Sequence, residues 1–135
     1  RECSQAEIVN AYDNAILYTD HLLAQTLAYL KQQQATHDVG LMYASDHGES
    51  LGEKGLYLHG MPLAIAPKEQ TSVPMLWWFG GDGASGWGGL DAACLRERAQ
   101  AAASHDNLYH SVLGLVGVTT PLYKADRDIV STCRR

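Results

Sequence analysis

Residues 46–49 read Asp-His-Gly-Glu, and a second histidine, His59, follows twelve positions after His47. A carboxylate and an imidazole in succession offer one oxygen and one nitrogen donor, a mixture that Zn2+ accepts. Asp46 and His47 are therefore the candidate metal ligands. Gly48 permits tight backbone geometry at such a turn. Glu49 is suited to three uses: a further acid, a substrate contact, or a partner behind a ligand. His59 joins the same site if the glycine-containing stretch after Glu49 folds back. An Asp-His pair on a loop is usually an ordinary surface feature. Here the pair follows an apolar run directly, with His59 and three glycines close by.

That apolar run, Val39-Gly-Leu-Met-Tyr-Ala-Ser45, is short and does not alternate. It predicts a strand covered on both faces, as in a parallel sheet. The ionisable residues thus stand at the C-terminal end of a buried strand, the edge where open α/β sheets bind ligands. Ahead of the strand, Gln5 to Gln34 contains neither Gly nor Pro. Ile8, Tyr12, Ala15, Thr19, Leu23, Leu27 and Leu30 recur at helical spacing. Ser4 and Glu7 stand in capping-box register at its start. A helix of that length spans ~45 Å, which predicts a helix laid across a wide sheet.

Thr71 to Phe79 predicts a second strand with Pro74 at its start or on an edge, because proline donates no ladder bond. Gly80 to Gly89 holds six glycines in ten residues. It reads as a flexible surface loop, since no Lys-Ser/Thr follows at phosphate-loop spacing. Asp91–Ala103 predicts a helix, and Ser104 or Asp106 caps a further one ending near Leu115. The tail from Tyr123 has no clear pattern, and there are no internal repeats. His21, His37, His105 and His110 are read as structural or solvent-facing. No G-x-S-x-G stands anywhere, so no Ser-His-Asp triad is proposed.

The chain has 135 residues, 46% hydrophobic and 19% charged, which excludes a solvated disordered chain and suits one domain or a piece of one. A formal charge of −5 argues against a broad grip on nucleic acid. No apolar run reaches the ~18–20 residues of a membrane helix. Cys3, Cys94 and Cys133 are too far apart for a zinc ribbon or a C-x-x-C redox pair. There is no signal peptide and residue 1 is Arg, so the expectation is a truncated or processed piece of a longer protein.

The stretch from Tyr43 through Ser-Asp-His-Gly-Glu-Ser-Leu-Gly-Glu and Tyr-Leu-His-Gly to Pro67 resembles the phosphoethanolamine transferases that modify lipid A. That group includes the mobile colistin-resistance enzymes and belongs to the alkaline-phosphatase and sulfatase superfamily. Asn10–Asn14, Thr71–Met75, Ser104–Leu108 and Thr132–Arg135 extend the resemblance over essentially the whole chain.

The resemblance implies an α/β/α sandwich of the alkaline-phosphatase type, with residues 1–135 as the C-terminal portion of its catalytic domain. It implies Zn2+ held by Asp46 and His47, with His59 near the phosphoethanolamine group or a second metal and Glu49 lining the same pocket. Phosphatidylethanolamine would be the donor and lipid A phosphate the acceptor, at the periplasmic face of the bacterial inner membrane. The nucleophilic threonine, further ligands and a membrane domain would lie upstream, so the fragment alone is expected to be inactive. An oxidising periplasm would allow Cys94 to pair with Cys133 and Cys3 with a cysteine upstream. A buried Cys94 thiol is the other reading. Two alternative functions stand: another sulfatase-superfamily hydrolase or phosphoglycerol transferase, or a non-catalytic metal- or partner-binding module.

Overall fold

The computed structural model describes residues 3–81, 87 and 89–134. Most of the glycine-rich loop expected at 80–89 lies outside the described residues. The chain divides into two compact units, one of residues 1–32 and 40–78, the other of 33–39 and 79–135.

The first unit opens on helix α1, Gln5–Gln33. The capping box forms as expected. The Ser4 backbone N–H and hydroxyl each donate to Glu7 Oε2 at 2.7 Å, and the Glu7 N–H donates to Ser4 Oγ at 3.3 Å. Ile8, Tyr12, Thr19, Leu23, Leu27 and Leu30 make a half-buried stripe, while Ala15 is exposed. No residue of α1 is fully buried, and Ile16, Leu17, Tyr18, Leu22 and Tyr29 face solvent. No helix among the described residues is long and apolar enough to cross a membrane.

Strand β1, Gly40–Ala44, pairs with β4, Met75–Phe79. The Ser45 N–H bonds to the Pro74 carbonyl at one end and the Gly80 N–H to the Val39 carbonyl at the other, so the strands are antiparallel. This corrects the expectation of a parallel neighbour. An apolar run reports coverage, and coverage does not encode the direction of the strand alongside. β1 is half-buried rather than fully buried. The sheets among the described residues are both two-stranded, so the wide sheet expected beneath α1 is not seen. Pro74 precedes β4 and lends only its carbonyl, as a residue without an N–H must. The turn ahead of it is helical, α2, Lys68–Thr71.

Between β1 and α2 lies a small hairpin, β2, Ser50–Leu51, and β3, Tyr57–Leu58. Gln5 ties it to the start of α1: its amide donates to the Leu51 carbonyl, and its Oε1 accepts the Tyr57 hydroxyl at 3.0 Å. Among the described residues of this unit, the buried positions are Gly48, Ser50 and Gln70.

The second unit has its own core of Val39, Leu90, Val130 and Cys133. Asp91 caps α3, Ala92–Arg98, by accepting the Ala93 and Cys94 N–H groups. α3 ends five residues short of the expected Ala103. α4, Asp106–Leu115, falls where expected. The Ser104 hydroxyl accepts the Asp106 N–H, and Gly117 at φ 68° turns the chain away beyond its end. Cys94 and Cys133 are bridged, with Cα atoms 5.5 Å apart, and Cys3 is free and exposed. The patternless tail is fastened by Asp128, whose buried carboxylate accepts the Tyr123 hydroxyl at 2.7 Å and Arg134 at 3.1 Å. That contact is the first cause raising the Tyr123 phenol above its ordinary pKa, with burial second.

Candidate functional site

The Asp-His-Gly-Glu turn leaves β1 in a conformation set by its own polar groups. The Ser45 hydroxyl donates to the His47 carbonyl at 2.9 Å, and the His47 N–H donates to Asp46 Oδ1 at 3.0 Å. The Gly48 N–H bonds to the Gln70 carbonyl at 3.0 Å. A Cβ at Gly48 would overlap the Glu69 carbonyl oxygen, so only glycine permits this approach. His47 Nδ1 stands 3.0 Å from the Gly48 carbonyl oxygen. A carbonyl only accepts, so Nδ1 carries the proton and Nε2 the lone pair, the state a metal-ligating imidazole needs.

The hairpin explains how His59 returns. Glycines at 52 and 55, at φ 128° and 76°, and Lys54 at φ 53° reverse the chain through left-handed conformations. Ser50 then pairs with Leu58 and Leu51 with Tyr57. Glu49 and His59 occupy the next rung of this register. His59 Nδ1 lies 3.1 Å from Glu49 Oε2.

The result is a cluster in which ligand atoms of His47, Glu49 and His59 lie within 4.8 Å of one another. The two imidazole rings stand with centroids 3.8 Å apart. Asp46 is not one of this trio, yet its Oδ2 is 3.7 Å from His47 Nε2. Two ligands of one tetrahedral Zn2+, each at roughly 2.0–2.2 Å, stand about 3.4 Å apart. The Asp46–His47 pair is thus close to a chelating separation. The Asp46 carboxyl is held below its ordinary pKa, first by the His47 N–H, then by its own N–H. Glu49 Oε1 is buried with no hydrogen-bond partner. A buried carboxylate oxygen left unpaired costs free energy unless a cation or donor meets it. The donor set and the orphaned oxygen both fit a divalent metal.

All four predicted residues therefore gather at one place. Gln70 was not singled out from sequence; it stands 20 residues away from Ser50 and binds it side chain to side chain. Its neighbours Lys68, Glu69 and Thr71 are as polar as it is, so composition carried no signal. The other histidines lie outside the cluster. His21 contacts Gln25, His37 contacts Thr36, and buried His110 accepts the Lys124 N–H at 3.1 Å.

A strand-end turn bearing potential metal donors on a mixed helix-and-strand scaffold suits metal-assisted transfer or hydrolysis. Residues 1–118 match the Sulfatase family, and the chain belongs to it. It is 46% identical, over its whole length, to phosphoethanolamine transferase EptA of Salmonella typhimurium, of which it covers 25%. It is 54% identical over 77 residues, 57% of its length, to phosphatidylethanolamine transferase Mcr-1 of Escherichia coli, covering 14% of that protein. The crystal structure of the soluble domain of lipooligosaccharide phosphoethanolamine transferase A from Neisseria meningitidis superposes with a TM-score of 0.92 at 40% identity, over 99% of this chain and 40% of that one. The chain spans about a quarter or less of the length of these curated relatives.

Proposed function

We propose that the full-length protein is a zinc-dependent transferase that moves phosphoethanolamine from phosphatidylethanolamine to a lipid A phosphate. The observation that carries this reading is the Asp46–His47–Glu49–His59 constellation, with its unpaired buried Glu49 oxygen, in a chain 46% identical throughout to a phosphoethanolamine transferase.

Asp46 and His47 Nε2 would hold the metal, and Zn2+ bound there would supply charge neutralisation and nucleophile activation. Gly48 keeps both ligands on one short turn. Glu49 fixes the His59 ring through Nδ1 and keeps Oε1 for a cation, the metal or the ammonium end of the substrate. As an imidazolium, His59 would hydrogen-bond a phosphoryl oxygen through Nε2–H while its Nδ1–H stays on Glu49, whose charge stabilises that cation. The resemblance assigns the nucleophile to a threonine that matches none of these residues. The enzyme works at the periplasmic face of the inner membrane. The Cys94–Cys133 bridge suits such an oxidising compartment. Adding an ammonium group to a lipid A phosphate lowers the negative charge seen by polymyxins, which yields colistin resistance.

The test is mass spectrometry of lipid A from cells expressing full-length variants. Asp46→Ala and His47→Ala are expected to abolish phosphoethanolamine addition and His59→Ala to impair it. Normal modification by either ligand variant would overturn the reading.

A further inference from the structure

Three features at the site remain without a use in this mechanism. Gln70 is only 7% exposed, although glutamine is usually a surface residue. Its partner Ser50 is 1% exposed. His59 is followed by Gly60 at φ 98°, where a Cβ would meet nothing within 4 Å.

Gln70 makes contact with the chain on both sides of the cluster. Its carbonyl accepts the Gly48 N–H at 3.0 Å. Its Nε2 donates to Ser50 Oγ at 2.9 Å. Its Oε1 accepts the Met61 N–H at 3.3 Å. A backbone N–H can only donate, so the Met61 bond fixes which end of the amide faces which partner. Glu49 is thus bracketed by Gly48 and Ser50, both held by Gln70. His59 is held on one side by the hairpin and on the other by Met61, across a glycine at φ 98°.

The hairpin alone is a weak anchor. Each strand has two residues, and an isolated two-stranded hairpin is marginal in water. His59 stands beyond its last paired residue. Without the Met61 contact, rotation at Gly60 would carry the segment after His59 away from Glu49. The carboxylate would then lose the His59 ring as a partner.

We propose that Gln70 is a positioning residue: its side-chain amide clamps Ser50 to Met61 and so holds His59 against Glu49 in the geometry that binds metal and substrate. The proposal rests on the transferase reading for its consequence, and on the three hydrogen bonds for its geometry. The residue touches neither metal nor substrate and acts through His59.

The experiment uses the full-length enzyme with Gln70→Met, which keeps the side-chain length and removes both polar ends, and Gln70→Glu, whose carboxylate accepts from both the Met61 N–H and the Ser50 hydroxyl. Zn2+ affinity is measured by chelator competition, kcat and KM by transfer assay, and amide exchange on metal-free protein by mass spectrometry. Gln70→Met is expected to weaken Zn2+ binding or kcat/KM about 10–100-fold, the usual cost of losing a partner behind a site. Exchange should quicken in the peptide spanning 57–63, and Gln70→Glu should recover most of both effects. In a His59→Ala background the Gln70→Met effect should largely vanish, since residues acting as one unit are not additive. Full additivity of the two changes, or unchanged exchange at 57–63, would overturn the proposal. A wild-type protein without transferase activity would sink the function alone, because exchange and Zn2+ binding still decide the role of Gln70.

Discussion

Glu49 and His59 face each other on the rung that follows the Ser50–Leu58 pair, with Nδ1 of His59 3.1 Å from Oε2 of Glu49. Their ten-residue spacing is therefore a hairpin register, set by the reversal at residues 52–55. One carboxylate oxygen orients the imidazole, and the other, buried and unpartnered, is left for a cation. The same side chain serves both tasks, so its charge and its hydrogen-bonding capacity are separable by substitution.

Glu49→Gln separates them. The amide oxygen still accepts the His59 Nδ1–H, so the ring keeps its place. The negative charge is lost, and an NH2 group stands where a cation is expected. Zn2+ affinity measured by calorimetry on the full-length enzyme should fall about 10–100-fold, with little change in thermal midpoint. Affinity equal to wild type would show that the Glu49 charge plays no part in the site.

Gly48→Ala probes the turn itself. The added Cβ collides with the backbone oxygen of Glu69, which cannot rotate aside like a side-chain tip. Relief requires the turn and α2 to separate, which stretches the Gly48–Gln70 bond. Forced overpacking of this kind costs about 1–3 kcal/mol. Denaturant unfolding should show that loss, and metal binding should weaken with it. A variant as stable as wild type would mean that the close approach at Gly48 is not maintained in solution.

How far these features were legible in the sequence differs by cause. The capping box at Ser4 and Glu7 and the stripe along α1 are local patterns; the box formed as read, and the stripe formed half-buried with Ala15 exposed. Asp46 and His47 were visible because polar residues break abruptly into an apolar run. The return of His59 was expected from glycines, but its hairpin was not, since two-residue strands are too short to show alternation. Gln70 was hidden because a buried polar residue announces itself only through its partners. The helix expected to reach Ala103 ends at Arg98, and residues 96–106 are all exposed. Helices gain most of their stability from packing a face, and the stretch after Arg98 buries none.

Acidification should loosen the start of α1. Glu7 is held below its ordinary pKa, first by the Ser4 hydroxyl, then by the Ser4 N–H. A depressed carboxyl pKa means the contribution is complete above the ordinary glutamate pKa and fades as pH falls through the lowered value. Ser4→Ala should cost about 1 kcal/mol at neutral pH, the usual worth of such a cap. Its penalty should shrink in acid, where the protonated Glu7 no longer accepts both Ser4 donors. Amide exchange of the first helical turn, followed against pH in wild type and variant, reads this directly. A penalty that is constant from pH 7 to pH 3 would contradict the reciprocal box.

Reduction should weaken the second unit. Cys94 leaves the first turn of α3, and Cys133 is 2% exposed within the core formed with Leu90 and Val130. The backbone reinforces the same junction, through the Asp91 N–H to the Cys133 carbonyl at 2.8 Å. The bridge closes a loop of 39 residues, which in the chain-entropy picture stabilises by about 4 kcal/mol. The tail from Tyr123 to Arg134 has only short turns of its own and depends on this tether and on Asp128. Adding dithiothreitol should therefore lower the thermal midpoint of the wild type. A Cys94→Ser, Cys133→Ser double variant should start low and show no further change with reductant. Alkylation of the native, unreduced protein should label neither Cys94 nor Cys133, whereas exposed Cys3 should react wherever it is free. Equal midpoints with and without reductant, or labelling at Cys94 in the oxidised protein, would remove the bridge from the forces holding this tail.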